Sequence, residues 1–362
     1  MNNLNIAVTG YYGTGSSAVI DLLREYKNVK VVPQVGHLYE HEAFYYPGGL
    51  FDLYSLMLNG NTPQGSDIYI NNFIDAMRRL NDYNYVWYGS YHKLFGDSFM
   101  QLVDDFVSSI SEKRDGSNSF HNIRTRFSVV KAAMQFVAKI IYKKKIVQYG
   151  RMYIRDGNPV YFSMPSADEL NSAAQRFTEG YFQLFNKEKN VAIYDHLIWP
   201  QQVNSHKNCF TDSLKVIVVN RDPRDVFLSS KYIWCKPGKG NSIGKPHFGD
   251  DPVTFSDEWR RTVITDNTNP NALHVFFEDL VYNYEETVRR IEGFLGFLPE
   301  EHLMPRTKFV PEKSIENTQV FTANAAYAAE ADIIAKSLPH YLYPFAYKRN
   351  ADVKNMFDSP ND

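Results

Sequence analysis

The chain has 362 residues, 44% of them apolar and 22% charged, a balance that excludes a disordered or fibrous protein. Its formal net charge of −2 argues against non-specific wrapping of nucleic acid, because phosphate neutralisation supplies most of that affinity. Any basic surface must therefore be local. Only Cys209 and Cys235 occur, too few for a disulfide framework or a cysteine-based metal cluster. The sequence begins MNNLNIAVTG without a basic leader, and no run of 18 apolar residues follows. These features predict a soluble, cytoplasmic protein without a membrane anchor.

Residues 5–9 (NIAVT) read as a buried strand, residues 16–26 as a helix with Val19, Ile20, Leu22 and Leu23 inward, and residues 29–33 as a second strand. Strand, helix and strand within about 30 residues is the length of a parallel βαβ unit. The rhythm returns later, with strands at 191–195, 215–219 and 273–277 and helices at 223–234 and 284–295. It predicts an α/β fold: a three-layer parallel sheet flanked by helices.

The stretch 34–190 breaks the rhythm and is predicted to be a large helical and hairpin insertion within one domain. Its helices are expected near 50–58, 68–80, 97–113, 122–142 and 166–186. Two alternating runs in 147–163 meet at Asp156-Gly157, a short hairpin signal. Residues 236–251 are rich in Gly, Pro and Lys and read as a surface loop. Aromatic residues make up 15% of the chain, which suits either ordinary packing or a pocket for flat ligands.

GYYGTGSS, from Gly10 to Ser17, sits where strand gives way to helix. Glycines there let the backbone turn sharply and aim N–H groups at an anion, with the helix N-terminus adding positive potential. The spacing nearly fits GxxxxGK[ST], but Ser16 stands where the lysine that grips a nucleotide triphosphate belongs. An ordinary NTPase or kinase is thereby disfavoured. In RDPRD, a strand delivers Arg221 to its C-terminal end and Pro223 opens a helix that carries Ser229. An arginine fork and a nearby hydroxyl suit a phosphate, and an internal Arg-Asp pairing suits the residues equally well.

Strand, then RDPRDV, then a serine eight positions after the first arginine resembles the 3′-phosphate signature of sulfotransferases that use 3′-phosphoadenosine-5′-phosphosulfate (PAPS). GYYGTGSSAVIDLL stands in the place of that family's 5′-phosphosulfate loop. FFEDLVYNYEETVRRIEGFLG (276–296) is similar to its [YF]-E-D-L segment, and KFVPEKSIENT (308–318) to its late cofactor loop. The resemblance covers about a third of the chain, and 34–190 matches no pattern. It implies a P-loop-like sulfotransferase fold, with Gly13, Thr14, Gly15, Ser16 and Ser17 at the 5′-phosphosulfate. Arg221 and Ser229 would hold the 3′-phosphate, helped by Lys313 and Ser314.

YDHLIWP (194–200) is similar to the T-H-L-P region in which a histidine deprotonates the acceptor hydroxyl, making His196 a candidate base. A carboxylate after the second strand competes for that role, and Glu40 and Glu42, beside His37 and His41, are the local choices. Gly13 stands where the family places a lysine or arginine. Ser16, Ser17 and the helix dipole, or Lys236, Lys239 or Lys245 from the surface loop, are the available substitutes.

From Gly116 to Arg155 the chain has nine Lys or Arg and no Asp or Glu, with apolar residues at helical spacing. A solvated basic face, a dock for an anionic acceptor and contact with anionic lipid are the readings. HLYEH (37–41) lacks the order of a zinc site, and the family implies no metal. The expected activity is transfer of a sulfuryl group from PAPS, leaving the bisphosphate PAP, to a hydroxyl of a carbohydrate or glycolipid. An ATP-dependent small-molecule kinase and a non-catalytic nucleotide-binding protein of the same fold are the alternatives.

Overall fold

The computed structural model describes residues 4–32, 41–63, 65–85, 88–115, 159–186, 191–234, 248–264 and 268–351, with four helical positions at 133, 136, 137 and 140. In chain order its strands are β1 (Asn5–Gly10), β2 (Val29–Val32), β3 (Asn84–Tyr85), β4 (Tyr88–Gly89), β5 (Glu112–Asp115), β6 (Pro159–Phe162), β7 (Val191–Asp195), β8 (Leu214–Asn220) and β9 (Ala272–Phe276). The chain divides into two compact units, Met1–His41 with Phe182–Asp362, and Glu42–Tyr181.

In the first unit five strands form one parallel sheet in the order β2-β7-β1-β8-β9. All six residues of β1 are buried, as expected of a central strand covered on both faces. Side chains alternate along it. Ile6 and Val8 face a core with Val19, Leu22 and Leu23 of the helix Ser16–Leu23, Val288 and Ile291 of the helix Tyr284–Leu295, and Ile193, Ile217, Val219 and Val275 of the neighbouring strands. Each such side chain contributes about 1.5–3 kcal/mol of transfer free energy. On β7, Tyr194 packs against Phe182 at 4.8 Å between ring centroids and against Phe185 at 6.4 Å. The α/β class, a parallel sheet flanked by helices, is as the sequence predicts.

The helix expected over 16–26 stops at Leu23, and the reason is tertiary. Glu25 is fully buried, where its carboxylate accepts from the backbone N–H groups of Arg306 (3.1 Å), Lys308 (2.8 Å) and Phe309 (2.9 Å). The helix expected over 223–234 is α-helical for Pro223–Ser229 and widens into a π-helical turn over Ser230–Trp234. β1 and β8 are adjacent, yet the chain leaves them toward opposite edges of the sheet, to β2 and to β9. That switch point, at the carboxyl ends of the strands, is where open α/β sheets form ligand crevices.

The second unit is built around aromatic rings. Phe73, Phe106 and Phe177 meet at centroid distances of 5.2–6.0 Å, and Phe44 meets Tyr181 edge-on at 4.8 Å. These five rings are all buried core. Its helices Leu50–Asn59, Gly65–Asp82 and Ser98–Ile110 fall where sequence periodicity places them, the last ending short of residue 113 because Ser111 is extended. Among the described residues, β6 pairs antiparallel with β5. The Asp156-Gly157 turn, its first run and most of the 122–142 helix lie outside the described residues.

Candidate active site

The loop after β1 is shaped by two glycines. Gly13 and Gly15 have φ of +82° and +88°, in the left-handed region that glycine reaches without strain. A Cβ on Gly15 would also stand 2.9 Å from the ring of Phe277, so that position is closed to side chains twice over. Thr14 is turned inward at 1% exposure, and both its N–H (3.0 Å) and its Oγ1 (2.8 Å) donate to the Tyr11 carbonyl. Of the residues expected at the 5′-phosphosulfate, Thr14 therefore braces the loop from within. Gly15 opens the helix Ser16–Leu23 with no side-chain cap, while Ser16 is half-buried and Ser17 exposed. The loop and helix N-terminus thus leave backbone N–H groups without a side-chain cap, an arrangement that suits an anion.

The five residues RDPRD divide their labour. Asp222 caps the helix Pro223–Ser229 by accepting from the Arg224 N–H at 3.0 Å, and Pro223 occupies the first helical turn, where its missing N–H costs nothing. Arg224 forks onto Asp222 through Nε (2.9 Å) and Nη2 (2.7 Å). This is the internal Arg-Asp pairing the sequence allowed, and it leaves Arg221 for another task. Arg221 is 3% exposed; its Nη1 donates to the Gly13 carbonyl at 2.9 Å. Its Nη2 donates to the Asn317 carbonyl at 2.5 Å and to Ser229 Oγ at 3.4 Å, with Phe277 5.1 Å beneath the guanidinium. One side chain thus joins the first loop, the serine eight residues on, and the late loop.

Burying that cation is compensated by three carboxylates. Burial draws the Arg221 pKa down, and Asp225, Glu278 and Asp222 oppose the shift. The acids respond in turn: burial and Asp222 raise Asp225 to about 7. Burial, then Asp222 and Asp225, lift Glu278 well above the usual carboxylate range, with Arg221 opposing the shift. Asp225 accepts from the N–H groups of Gln319 and Val320, both at 2.7 Å, and Glu278 accepts from the Asp222 N–H at 2.9 Å. The cluster locks β8, the start of the helix Phe277–Tyr282 and the late loop together. Lys313 and Ser314 close the short helix Pro311–Ser314 in that late loop, Lys313 exposed and Ser314 half-buried.

His196 follows β7 in a left-handed conformation (φ +50°), its N–H donating to the Val8 carbonyl of β1 at 3.0 Å. The ring is partly exposed, with Nδ1 2.7 Å from Asp195 Oδ1 and Trp199 edge-on at 5.5 Å. His196 and the first loop therefore both sit at the carboxyl ends of adjacent strands. His41 is fully buried against Tyr194 and Phe185, and burial lowers its pKa to about 3, so it stays neutral. Glu42, in the second unit, is 1% exposed and accepts from Tyr91 Oη at 3.2 Å, which lies 3.1 Å from Tyr181 Oη. Glu40, His37, Lys236, Lys239 and Lys245 lie outside the described residues.

Phe277, Glu278, Asp225 and Asn317 all stand within the quoted motifs, yet sequence reading assigned them no task. The acidic letters of RDPRD and FFEDL were the available signal, since a buried arginine requires counter-charge.

Residues 5–333 match the sulfotransferase domain. The chain belongs to the sulfotransferase family of enzymes. A 124-residue stretch is 32% identical to Sulfotransferase 2A6 of Rattus norvegicus, covering 32% of this chain and 43% of that relative's length. Solved structures similar over most of the chain include the sulfotransferase domain from the curacin biosynthetic pathway, at 9% identity and a TM-score of 0.31, covering 96% of this chain and 94% of that one. A sulfotransferase from Mycobacterium avium gives 11% identity and a TM-score of 0.34, covering 97% and 78%. A retinol dehydratase solved with androsterone and the inactive cofactor PAP gives 13% and 0.30, covering 95% and 84%. At those scores the assignment to the sulfotransferase family rests on the domain match. No helix among the described residues is long and apolar enough to cross a membrane.

Proposed function

We propose that this protein transfers a sulfuryl group from PAPS to a hydroxyl of a carbohydrate or glycolipid. The observation that carries the reading is the Arg221 corner: a buried guanidinium spanning Gly13, Ser229 and Asn317 at the switch point of the sheet. The residues fit the nucleotide. The uncapped N-terminus of the helix Ser16–Leu23, with Gly13, Gly15, Ser16 and Ser17, would hold the 5′-phosphosulfate, and Arg221 and Ser229 the 3′-phosphate, with Lys313 and Ser314 alongside. Bound there, PAPS supplies the activated sulfuryl group.

The chain's own part is positioning, charge stabilisation and one proton. His196 accepts the proton of the acceptor hydroxyl at Nε2, with Nδ1 held toward Asp195. The burial of Glu42 on Tyr91 favours His196 over that carboxylate. Gly13 supplies no cation, but its carbonyl accepts from Arg221, so a positive charge is held beside the loop. The basic stretch 116–155 supports an anionic or lipid-linked acceptor, and 34–190 is the part of the chain proposed to recognise it. Ala133, Phe136, Val137 and Ile140 are helical and exposed, the apolar face that peripheral contact with anionic lipid requires. A cytoplasmic setting is proposed with it.

Calorimetric titration with adenosine 3′,5′-bisphosphate, against ATP with and without Mg²⁺, tests the reading. Metal-independent bisphosphate binding that collapses in Arg221→Ala is the expected result; better binding of ATP with Mg²⁺ would favour a kinase. His196→Ala is expected to lower kcat by roughly 10²–10⁴ with bisphosphate affinity unchanged. Unchanged turnover would return the base to the carboxylates near residue 40, whereas bisphosphate binding without turnover in the wild type would leave a non-catalytic binding protein.

A further inference from the structure

Residues Tyr343–Ala351 lie beyond the stretch that matches the family domain, yet they are tied to the nucleotide corner along their length. The Tyr343 N–H donates to Asp222 Oδ2 at 3.0 Å, and its hydroxyl to Asp279 Oδ1 at 2.9 Å. Gln319, left-handed at φ +51° and 1% exposed, donates through Nε2 to the Tyr347 carbonyl at 3.0 Å and accepts from the Arg349 N–H at 2.9 Å. Ala351 N–H donates to Thr322 Oγ1 at 2.9 Å.

Arg349 is the centre of this segment. Its Nη1 donates to the carbonyls of Ile315 (2.9 Å) and Thr318 (3.2 Å), the two ends of one turn, and its Nη2 pairs with Glu316 inside that turn. The remaining residue of the turn, Asn317, presents its carbonyl to Arg221. The planar guanidinium holds its donors in a fixed fork, here spread over two carbonyls and a carboxylate. At 14% exposure of the side chain, solvent screens those bonds little.

We propose that Tyr343–Ala351 braces the nucleotide site and that Arg349 is its positioning residue, clamping the Ile315–Thr318 turn so that Asn317 orients Arg221. The inference rests on the assignment of the Arg221 corner to the 3′-phosphate. Without the clamp the turn gains freedom, Arg221 loses one of its fixed acceptors, and nucleotide affinity falls although no residue touching the nucleotide has changed.

The test uses the full chain as wild type, Arg349→Ala, Arg349→Lys, Glu316→Gln and Arg221→Ala. Adenosine 3′,5′-bisphosphate is titrated calorimetrically, and melting temperature is recorded with and without it. Arg349→Ala is expected to weaken the bisphosphate about tenfold, the loss of a charge-assisted fork, and to shrink the ligand-induced rise in melting temperature. Arg349→Lys should not restore affinity, and Glu316→Gln should weaken it about threefold. A lower melting temperature with bisphosphate affinity within about twofold of wild type shows a merely structural tie and overturns the proposal. If Arg349→Ala does not fold, Glu316→Gln decides, and wild-type affinity there overturns the proposal equally. Should Arg221→Ala itself bind as wild type, the assignment of the corner fails rather than the brace.

Discussion

The two ends of the proposed nucleotide cradle are made from different materials. At the loop after β1 the structure uses backbone: two left-handed glycines, an inward threonine and an uncapped helix. At the end of β8 it uses buried charge, one arginine among three acids, two of them pushed toward their neutral form by burial. A backbone cradle is tuned by conformation and tolerates water. A charge cluster is tuned by its partners and fails when one is removed.

That contrast is broken most severely at Arg221. Arg221→Ala leaves Asp222, Asp225 and Glu278 without their central cation, at a cost of about 3–5 kcal/mol of stability in denaturant unfolding, beside the loss of bisphosphate binding. Gly15→Ala attacks the other end. A side chain at φ +88° against Phe277 is expected to cost about 1–3 kcal/mol and to weaken bisphosphate binding without altering its pH dependence.

Asp225→Asn probes the charged end through pH. Asp225 is raised from its ordinary 3.8 to about 7, so between those values the folded state binds the extra proton. Its contribution therefore falls as pH rises through that window and is flat above it. The difference in unfolding free energy between wild type and Asp225→Asn, measured across pH 4–8, should move against wild type as pH rises. A flat difference would show that Asp225 is ionised throughout.

Much of the sheet was legible in sequence. Val191–Asp195 was bounded correctly, and the other core strands to within a residue, because apolar runs punctuated by glycine report a buried parallel strand directly. The glycine loop and the Arg221–Ser229 pair were legible for the same local reason. The end of the first helix was not, because Glu25 is claimed by N–H groups more than 280 residues away. Nor was the division within RDPRD, where Arg224 rather than Arg221 makes the local pair. Aromatic abundance gave no decision between pocket and core; among the described rings of the second unit, Phe44, Phe73, Phe106, Phe177 and Tyr181 are core.

The strand and helix rhythm and the glycine turn after β1 follow from the sequence alone, because each depends on neighbours a few positions away. Which charges are buried, which acids are shifted above the ordinary carboxylate range and what orients Arg221 follow from tertiary packing alone. Those depend on Gly13, Glu278, Asn317 and Tyr343 arriving from 56 to 208 residues along the chain, and on the water their arrival excludes.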